Sequence, residues 1–176
     1  MPHIPLPSDE QLSTEAKEIL NEIESKLGRR PNLFRTYAHH PPLLRANWRK
    51  LKAVMMEGVL PRKLKESIAL LVSDDNGCEY CVHAHSGALK ALGVDAETLE
   101  AVRGGELERA GFGEKERELI GLMRKANRTP HEVSGADFER VRSAGATDAE
   151  LVEAYGVMET SVAFNKFLDS VRVDIG

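Results

Sequence analysis

The sequence predicts an all-α fold, a helical bundle, on three observations. Apolar residues recur every three to four positions through most of the chain, which is the spacing of one helix face. Prolines and glycines interrupt this pattern about one helix length apart and so mark helix ends. No segment combines β-branched residues, period-two alternation and hairpin turn signals, as strands would. We therefore expect a single all-helical domain over residues 1–176.

In the first half of the chain, capping residues mark the helix ends. Ser8 or Asp9 can cap the first helix, and Gly28 can end it. Pro61 suits the first turn of a later helix, and the Asp-Asp-Asn-Gly sequence at 74–77 forms a turn after it. The predicted helices are residues 8–28, 32–38, 42–58, 61–73 and 78–92.

The second half predicts three further helices. One covers residues 113–127 and ends before Pro130, one begins at Ser134, and a long one covers residues 148–171 after Thr147 as its cap. Gly104-Gly105 is the best candidate for an internal linker, although it does not require a domain boundary. The segments 65–68 and 116–120 are loosely alike, which suggests two related helical halves.

Composition excludes several classes of function. The net charge is −4 and no stripe of Lys and Arg is present, so we expect no nucleic-acid partner. The longest apolar runs are far too short to cross a bilayer, so we expect no membrane partner. The N-terminal segment has neither the basic start nor the apolar stretch of a signal peptide. These features predict a cytoplasmic protein.

The chain contains only two cysteines, Cys78 and Cys81, three positions apart. A disulfide between them would close a trivial loop and could not stabilise a fold. In a reducing compartment such a pair indicates redox catalysis or metal binding. A c-type haem needs a histidine directly after the second cysteine, where this chain has Val82. A zinc site needs four converging ligands. His83 and His85 point in different directions on a helix, so they cannot both join the two cysteines. We therefore expect neither a metal nor a cofactor.

Glu66 and His85 are expected to lie close to the cysteine pair. If two antiparallel helices meet at the 74–77 turn, these two residues stand at the same height, about two helical turns from its tip. Cys78, Cys81 and His85 have the spacing i, i+3, i+7 and so share one helix face. One carboxylate, one imidazole and two thiols should therefore converge in a partly buried pocket.

This set of groups suits the reduction of a peroxide. The first turn of a helix favours thiolate over thiol, and a thiolate attacks the O–O bond to give a sulfenic acid. A second cysteine one turn away can condense with it to a disulfide, which an outside dithiol must then reduce. His85 is placed to accept the proton of Cys81, and Glu66 to orient His85.

The same residues resemble a known family. Glu66, the Cys78-x-x-Cys81 pair and His85, within a motif at residues 61–93, resemble the alkylhydroperoxidase D core of the carboxymuconolactone decarboxylase-like superfamily. The fuller context is similar to its "peroxidase-related" branch, through Gly28-x-x-Pro31-Asn32-Leu33, Ala38-x-x-Pro41 and Phe164-Asn165. The resemblance implies a helical homo-oligomer that reduces organic hydroperoxides and is re-reduced by a lipoyl- or thioredoxin-like dithiol.

Carried onto this sequence, the resemblance implies roles for four residues. Cys81 attacks the peroxide, Cys78 resolves the sulfenic acid, and His85 with Glu66 forms a proton relay. One position departs from the family pattern, because Tyr80 stands where a histidine precedes the second cysteine. A tyrosine has a pKa of about 10 and shuttles protons poorly at neutral pH.

Two other functions agree with the same residues. Acid–base chemistry of the decarboxylase kind would use the carboxylate and imidazole and leave the cysteines idle. A helical oligomer that senses redox state or binds metal through its thiols would need no turnover. Each residue also has a structural interpretation, since cysteines are often small core residues and a lone histidine is often only hydrogen-bonded.

Overall fold

The computed structural model describes residues 1–175, and it confirms the all-α class. Those residues form no β-strand, and about one residue in three lies outside a helix. The nine α-helices within the described residues are α1 (Thr14–Leu27), α2 (Asn32–Tyr37), α3 (Pro41–Leu51), α4 (Arg62–Asp75), α5 (Glu79–Ala91), α6 (Ala96–Arg103), α7 (Glu114–Arg128), α8 (Gly135–Ser143) and α9 (Asp148–Val171). Within residues 1–175, no helix is both long enough and apolar enough to cross a membrane.

Most helix ends lie where the capping residues predict them. Gly28 adopts a left-handed conformation, φ 71°, and its N–H caps the C-terminus of α1. Thr147 caps α9 and forms a reciprocal capping box with Glu150. The predicted start of α1 at Ser8 or Asp9 is wrong, because Ser13 is the cap and its hydroxyl accepts the N–H of Ala16 at 3.1 Å.

Two elements differ from the sequence prediction. The predicted helix 42–58 divides into α3 and a π-helical turn, Lys52–Met56, in which the N–H of Glu57 bonds the Lys52 carbonyl. Helix α6 was not predicted, because its eight residues are too few to establish a period. Its cap, Asp95, accepts the N–H of Thr98 at 2.7 Å and is the signal that could have located it.

Helix α4 lies at the centre of the molecule. Its residues 64–73 are all buried, and it packs against α5, α7 and α9. Because no face of α4 meets water, its polar side chains need partners inside the protein. Lys65, only 2% exposed, pairs with Glu153 of α9, which in turn accepts the N–H of Val59 at 2.8 Å. This ion pair fixes the loop that leads into α4.

The buried apolar residues form two clusters. One contains the apolar residues of α4, α6 and α7 and the first half of α9. The other joins α1, α2 and α3 to the end of α9, and it includes both cysteines. Its centre is aromatic: the Phe34 ring lies edge-on to Trp48 at 5.6 Å and to Phe164 at 6.3 Å between centroids. The cysteine pair therefore packs in the cluster that α1–α3 and the end of α9 form.

The central position of α4 predicts a large cost for truncating it. Leu70→Ala removes a side chain with 0% exposure and should lower the free energy of unfolding by about 2–5 kcal/mol. Leu43→Ala is the matched control, since Leu43 is 46% exposed and should change it by less than about 0.5 kcal/mol. Urea denaturation of both variants measures the difference, and equal losses would contradict the central role of α4.

Candidate active site

The turn between α4 and α5 places the four predicted residues. Gly77 takes a positive φ of 73°, which favours glycine, and lets the chain reverse in two residues. Cys78 follows as the N-cap residue of α5, and its N–H bonds the Ser73 carbonyl at 3.0 Å. Across this hairpin, His85 Nδ1 and Glu66 Oε2 lie 2.7 Å apart. The structure thus brings together the carboxylate, the imidazole and the cysteine-bearing turn of α5.

The Glu66 carboxylate is ionised although only 2% of its side chain is exposed. Burial raises its pKa, but the hydrogen bond and charge of His85 and the guanidinium of Arg62 together outweigh burial and leave the pKa below its usual range. Arg62 Nε donates to Glu66 Oε1 at 2.7 Å, and its Nη1 donates to the Met55 carbonyl at 2.8 Å. The π-helical turn is thereby tied to the carboxylate.

This pairing determines which nitrogen of His85 carries a proton. An ionised carboxylate can only accept hydrogen bonds, so His85 Nδ1 must donate to Glu66. In the neutral imidazole, Nε2 is then the unprotonated nitrogen and can accept a proton. His85 lines the same cavity as Cys81, one helical turn along α5. Glu66 therefore prepares His85 as a base.

The two cysteines are free thiols whose sulfur atoms lie 3.0 Å apart. The hydrogen bond between the two sulfur atoms lowers the pKa of Cys78, assisted by the Cys81 backbone N–H and opposed by burial. The same hydrogen bond raises the pKa of Cys81, and burial raises it further. Of the two thiols, Cys78 therefore loses its proton more readily.

Access to the two sulfur atoms is unequal. A cavity of about 670 Å³ opens beside α5 and is lined by Cys81, His85 and Glu66. Cys78 does not line it and has 0% exposure. His83, exposed as predicted, stands at the same cavity. The remaining lining is mainly apolar and comes from α1, α2, the π-helical turn and α9; it includes Leu27, Leu33, Phe34, Met55, Met56 and Phe164.

Tyr80, at the position that departs from the family pattern, has a structural contact. Its hydroxyl accepts the N–H of Leu33 at 3.2 Å, in the first turn of α2. Burial raises the pKa of this phenol, so it stays protonated at neutral pH. Tyr80 therefore ties α5 to α2 and forms part of the cavity wall, rather than passing protons.

Asn165 is a site residue to which the sequence analysis gave no role. It is fully buried on α9 and lies close enough to the sulfur of Cys81 to lower the pKa of that thiol, against the larger effects of Cys78 and burial. A chain of amides orients it: Asn127 donates to Asn76 at 3.0 Å, and Asn76 donates to Asn165 Oδ1 at 2.9 Å. The Asn165 NH₂ group donates to Ser73 Oγ at 3.0 Å.

Known proteins resemble this chain in sequence and in fold. Residues 41–112 match the carboxymuconolactone decarboxylase family. The structure of an uncharacterized peroxidase-related protein from Ralstonia eutropha JMP134, described as an alkylhydroperoxidase AhpD core, superposes with a TM-score of 0.87 at 27% identity, over 98% of this chain and 91% of that one. The predicted resemblance to this family is confirmed, with the family match covering residues 41–112.

Two further relatives extend the comparison. The chain is 32% identical over 94 residues to the alkyl hydroperoxide reductase Rv2159c of Mycobacterium tuberculosis, an alignment that spans 53% of this chain and 27% of that protein. The debrominase Bmp8, solved in complex with 2,3,4-tribromopyrrole, superposes with a TM-score of 0.83 over 98% of this chain and 91% of its own, at 17% identity. At that identity the likeness concerns the alkylhydroperoxidase D-like fold alone.

The family match covers only part of the site. Glu66, Cys78, Cys81 and His85 lie within residues 41–112, whereas Asn165 and the α1 and α2 walls of the cavity lie outside them. Among residues 1–175, no three or more His, Cys, Asp and Glu side chains are grouped so as to hold a metal ion.

The lowered pKa of Glu66 predicts a pH-dependent contribution to stability. A carboxyl group whose pKa falls on folding stabilises the protein above its unfolded pKa of about 4.3, and this stabilisation is lost as the pH falls through the folded value. Glu66→Gln should therefore cost about 1–3 kcal/mol at pH 7 and little at pH 3. Unfolding free energies across this range test it, with the exposed Glu18→Gln as control; a pH-independent cost would contradict it.

The contact between Asn165 and Cys81 predicts an effect on thiol ionisation. In a Cys78→Ser background, Asn165→Ala removes a donor to the thiolate and should raise the pKa of Cys81. Asn127→Ala, at the far end of the amide chain, should raise it less. The pH dependence of the alkylation rate with iodoacetamide measures both shifts, and an unchanged profile in Asn165→Ala would exclude the contact.

Proposed function

We propose that the protein is a thiol-dependent peroxidase that reduces organic hydroperoxides through Cys81 and Cys78. The observation that carries this proposal is a pair of free thiols 3.0 Å apart, one of which lines a cavity together with His85 and Glu66. The Ralstonia peroxidase-related protein and the Mycobacterium alkyl hydroperoxide reductase, to which this chain is similar, support peroxide chemistry.

In the first step, the Cys81 sulfur attacks the terminal oxygen of the hydroperoxide. The S–O bond forms as the O–O bond breaks, so the sulfur is oxidised to a sulfenic acid and the peroxide is reduced to an alcohol. The Cys81 proton passes to His85 Nε2, and the imidazolium then protonates the departing alkoxide. Glu66 holds Nδ1 and stabilises the charge that His85 carries meanwhile.

In the second step, the Cys78 sulfur attacks the sulfur of the sulfenic acid. A disulfide forms, and hydroxide leaves and becomes water on protonation. The bond is about 2.05 Å long, so the sulfur atoms must approach by about 1 Å from their present separation of 3.0 Å. An external dithiol, lipoyl- or thioredoxin-like, then reduces the disulfide and restores both thiols.

Access decides which cysteine attacks. The pKa of Cys78 is lowered, but Cys78 has 0% exposure and does not line the cavity, so a bulky peroxide reaches only Cys81. The Cys81 proton can move to Cys78, whose sulfur lies 3.0 Å away, or to His85 as the peroxide arrives. Asn165 lies close to the Cys81 sulfur, lowers its pKa and so supports its charge at that moment.

The decarboxylase-like alternative would use Glu66 and His85 alone. It gives no role to the sulfur of Cys81 at the cavity wall or to the amide directed at it. A Cys78→Ser/Cys81→Ser variant that keeps full activity on a lactone acid would favour it. The predicted homo-oligomer stays a prediction, and a sedimentation measurement tests it.

The peroxidase mechanism predicts a distinct result for each cysteine variant. Reduced wild-type protein mixed with a small excess of cumene hydroperoxide should lose two thiols rapidly. Cys78→Ser should stop at a sulfenic acid, which dimedone traps, and Cys81→Ser should react no faster than a free thiol. His85→Gln should slow the loss by about 10²–10⁴-fold, as expected for a lost general base.

Timed titration of free thiols measures these rates, with His131→Gln as the control because His131 is exposed and does not line the cavity. Wild-type protein that reacts no faster than a free thiol would exclude the peroxidase. Rapid reaction of Cys81→Ser, with Cys78→Ser inert, would reverse the two cysteine roles.

A further inference from the structure

The charged residues of the cavity are unlike those of the whole protein. The chain carries a net charge of −4, yet the charged groups that line the cavity are three cations and one carboxylate. That carboxylate, Glu66, accepts a hydrogen bond from Arg62, and the charges of the two groups cancel. The charge that remains belongs to Lys26 and Arg29, at the C-terminal end of α1 and just beyond it.

These two cations have no acidic partner within residues 1–175. The neighbouring glutamates are already engaged, Glu22 by Lys52 and Glu24 by Arg30. Lys26 lies in the last turn of α1, where a cation also offsets the helix dipole. Arg29 follows Gly28 and lies outside the helix, so the dipole does not account for its position at the cavity.

Arg29 lines the cavity together with Tyr80, the residue that directly precedes Cys81 in α5. The charge of Arg29 lowers the pKa of the Tyr80 phenol, against the larger effect of burial. The wall around these groups is apolar and is formed in part by Leu27 and Leu33, which lie on either side of Arg29 in the chain. Apolar walls with a few fixed charges are the arrangement by which binding pockets select and orient a ligand.

We propose that the cavity binds amphipathic anions, so that the preferred substrate is a hydroperoxide with an apolar body and a carboxylate that Arg29 and Lys26 bind. This inference rests on the proposed function in calling the bound molecule a substrate, but the preference for anions can be measured without turnover. The apolar body occupies the wall of leucine, methionine and phenylalanine side chains, and the carboxylate meets the two cations at its edge. Arginine suits a carboxylate because its guanidinium can donate two parallel hydrogen bonds.

The decisive experiment measures binding without any peroxide. Isothermal titration calorimetry of reduced protein with decanoate and with 1-decanol compares one apolar chain with and without a carboxylate. Decanoate should bind about five- to tenfold more tightly, and the preference should shrink as sodium chloride is raised, because exposed charges are screened. Arg29→Gln/Lys26→Gln should lose most of this preference.

The matched control is Arg49→Gln/Lys17→Gln, which removes the same charge from exposed cations that do not line the cavity. It should keep the preference for decanoate. Equal affinity for decanoate and decanol, no measurable binding of decanoate, or the same loss in the control would each overturn the proposal.

A parallel assay with two peroxides separates this inference from the proposed function. Thiol loss is timed with a fatty-acid hydroperoxide and with its methyl ester. Faster reaction of the acid in wild type, and not in Arg29→Gln/Lys26→Gln, supports the inference. If both peroxides oxidise the thiols equally fast, the proposed peroxidase function is supported and the proposed anion preference is excluded. If decanoate is preferred but no peroxide oxidises the thiols, the anion preference is supported and the peroxidase function is excluded.

Discussion

Helix α4 is buried along residues 64–73, and Lys65, Glu66 and Ser73 on that stretch have polar partners inside the protein. Three of these partnerships organise the molecule. Lys65 binds Glu153 and fixes the loop before α4, Glu66 binds Arg62 and His85, and Ser73 bonds Asn165 and the N–H of Cys78 through its side chain and carbonyl. The interactions that satisfy the buried polar groups of α4 therefore also hold the chemical groups of the site in place.

The burial of α4 explains the electrostatics of the site. A buried carboxylate is normally pushed toward its neutral form, and Glu66 stays charged only because two cationic or hydrogen-bonding partners meet it. That charge in turn selects the tautomer of His85, which leaves Nε2 as a base on the cavity side. Arg62 donates to Glu66 Oε1 and so supports the carboxylate that orients the imidazole, which makes Arg62 a positioning residue for His85.

The cavity joins parts of the chain that lie inside and outside the family match. The reactive hairpin lies within the segment that matches the carboxymuconolactone decarboxylase family, whereas α1, α2 and Phe164 lie outside it. The reactive groups thus come from the family segment, and much of the wall that meets a ligand comes from elsewhere. A division of this kind allows one reactive pair to serve ligands of different shape and charge.

The sequence alone determined the helical class, most helix ends and the convergence of Glu66 with the cysteine-bearing helix, because these follow from local periodicity, caps and one short turn. It did not reveal the π-helical turn, since a single extra residue per turn leaves no periodic trace. Only the tertiary structure decided that Cys81 lines the cavity and Cys78 does not, that Asn165 of α9 lies close to Cys81, and that Arg29 lines the same cavity. The physical reason is sequence separation: Asn165 and Arg29 are each many residues from the cysteines, and only packing between helices brings them to this site.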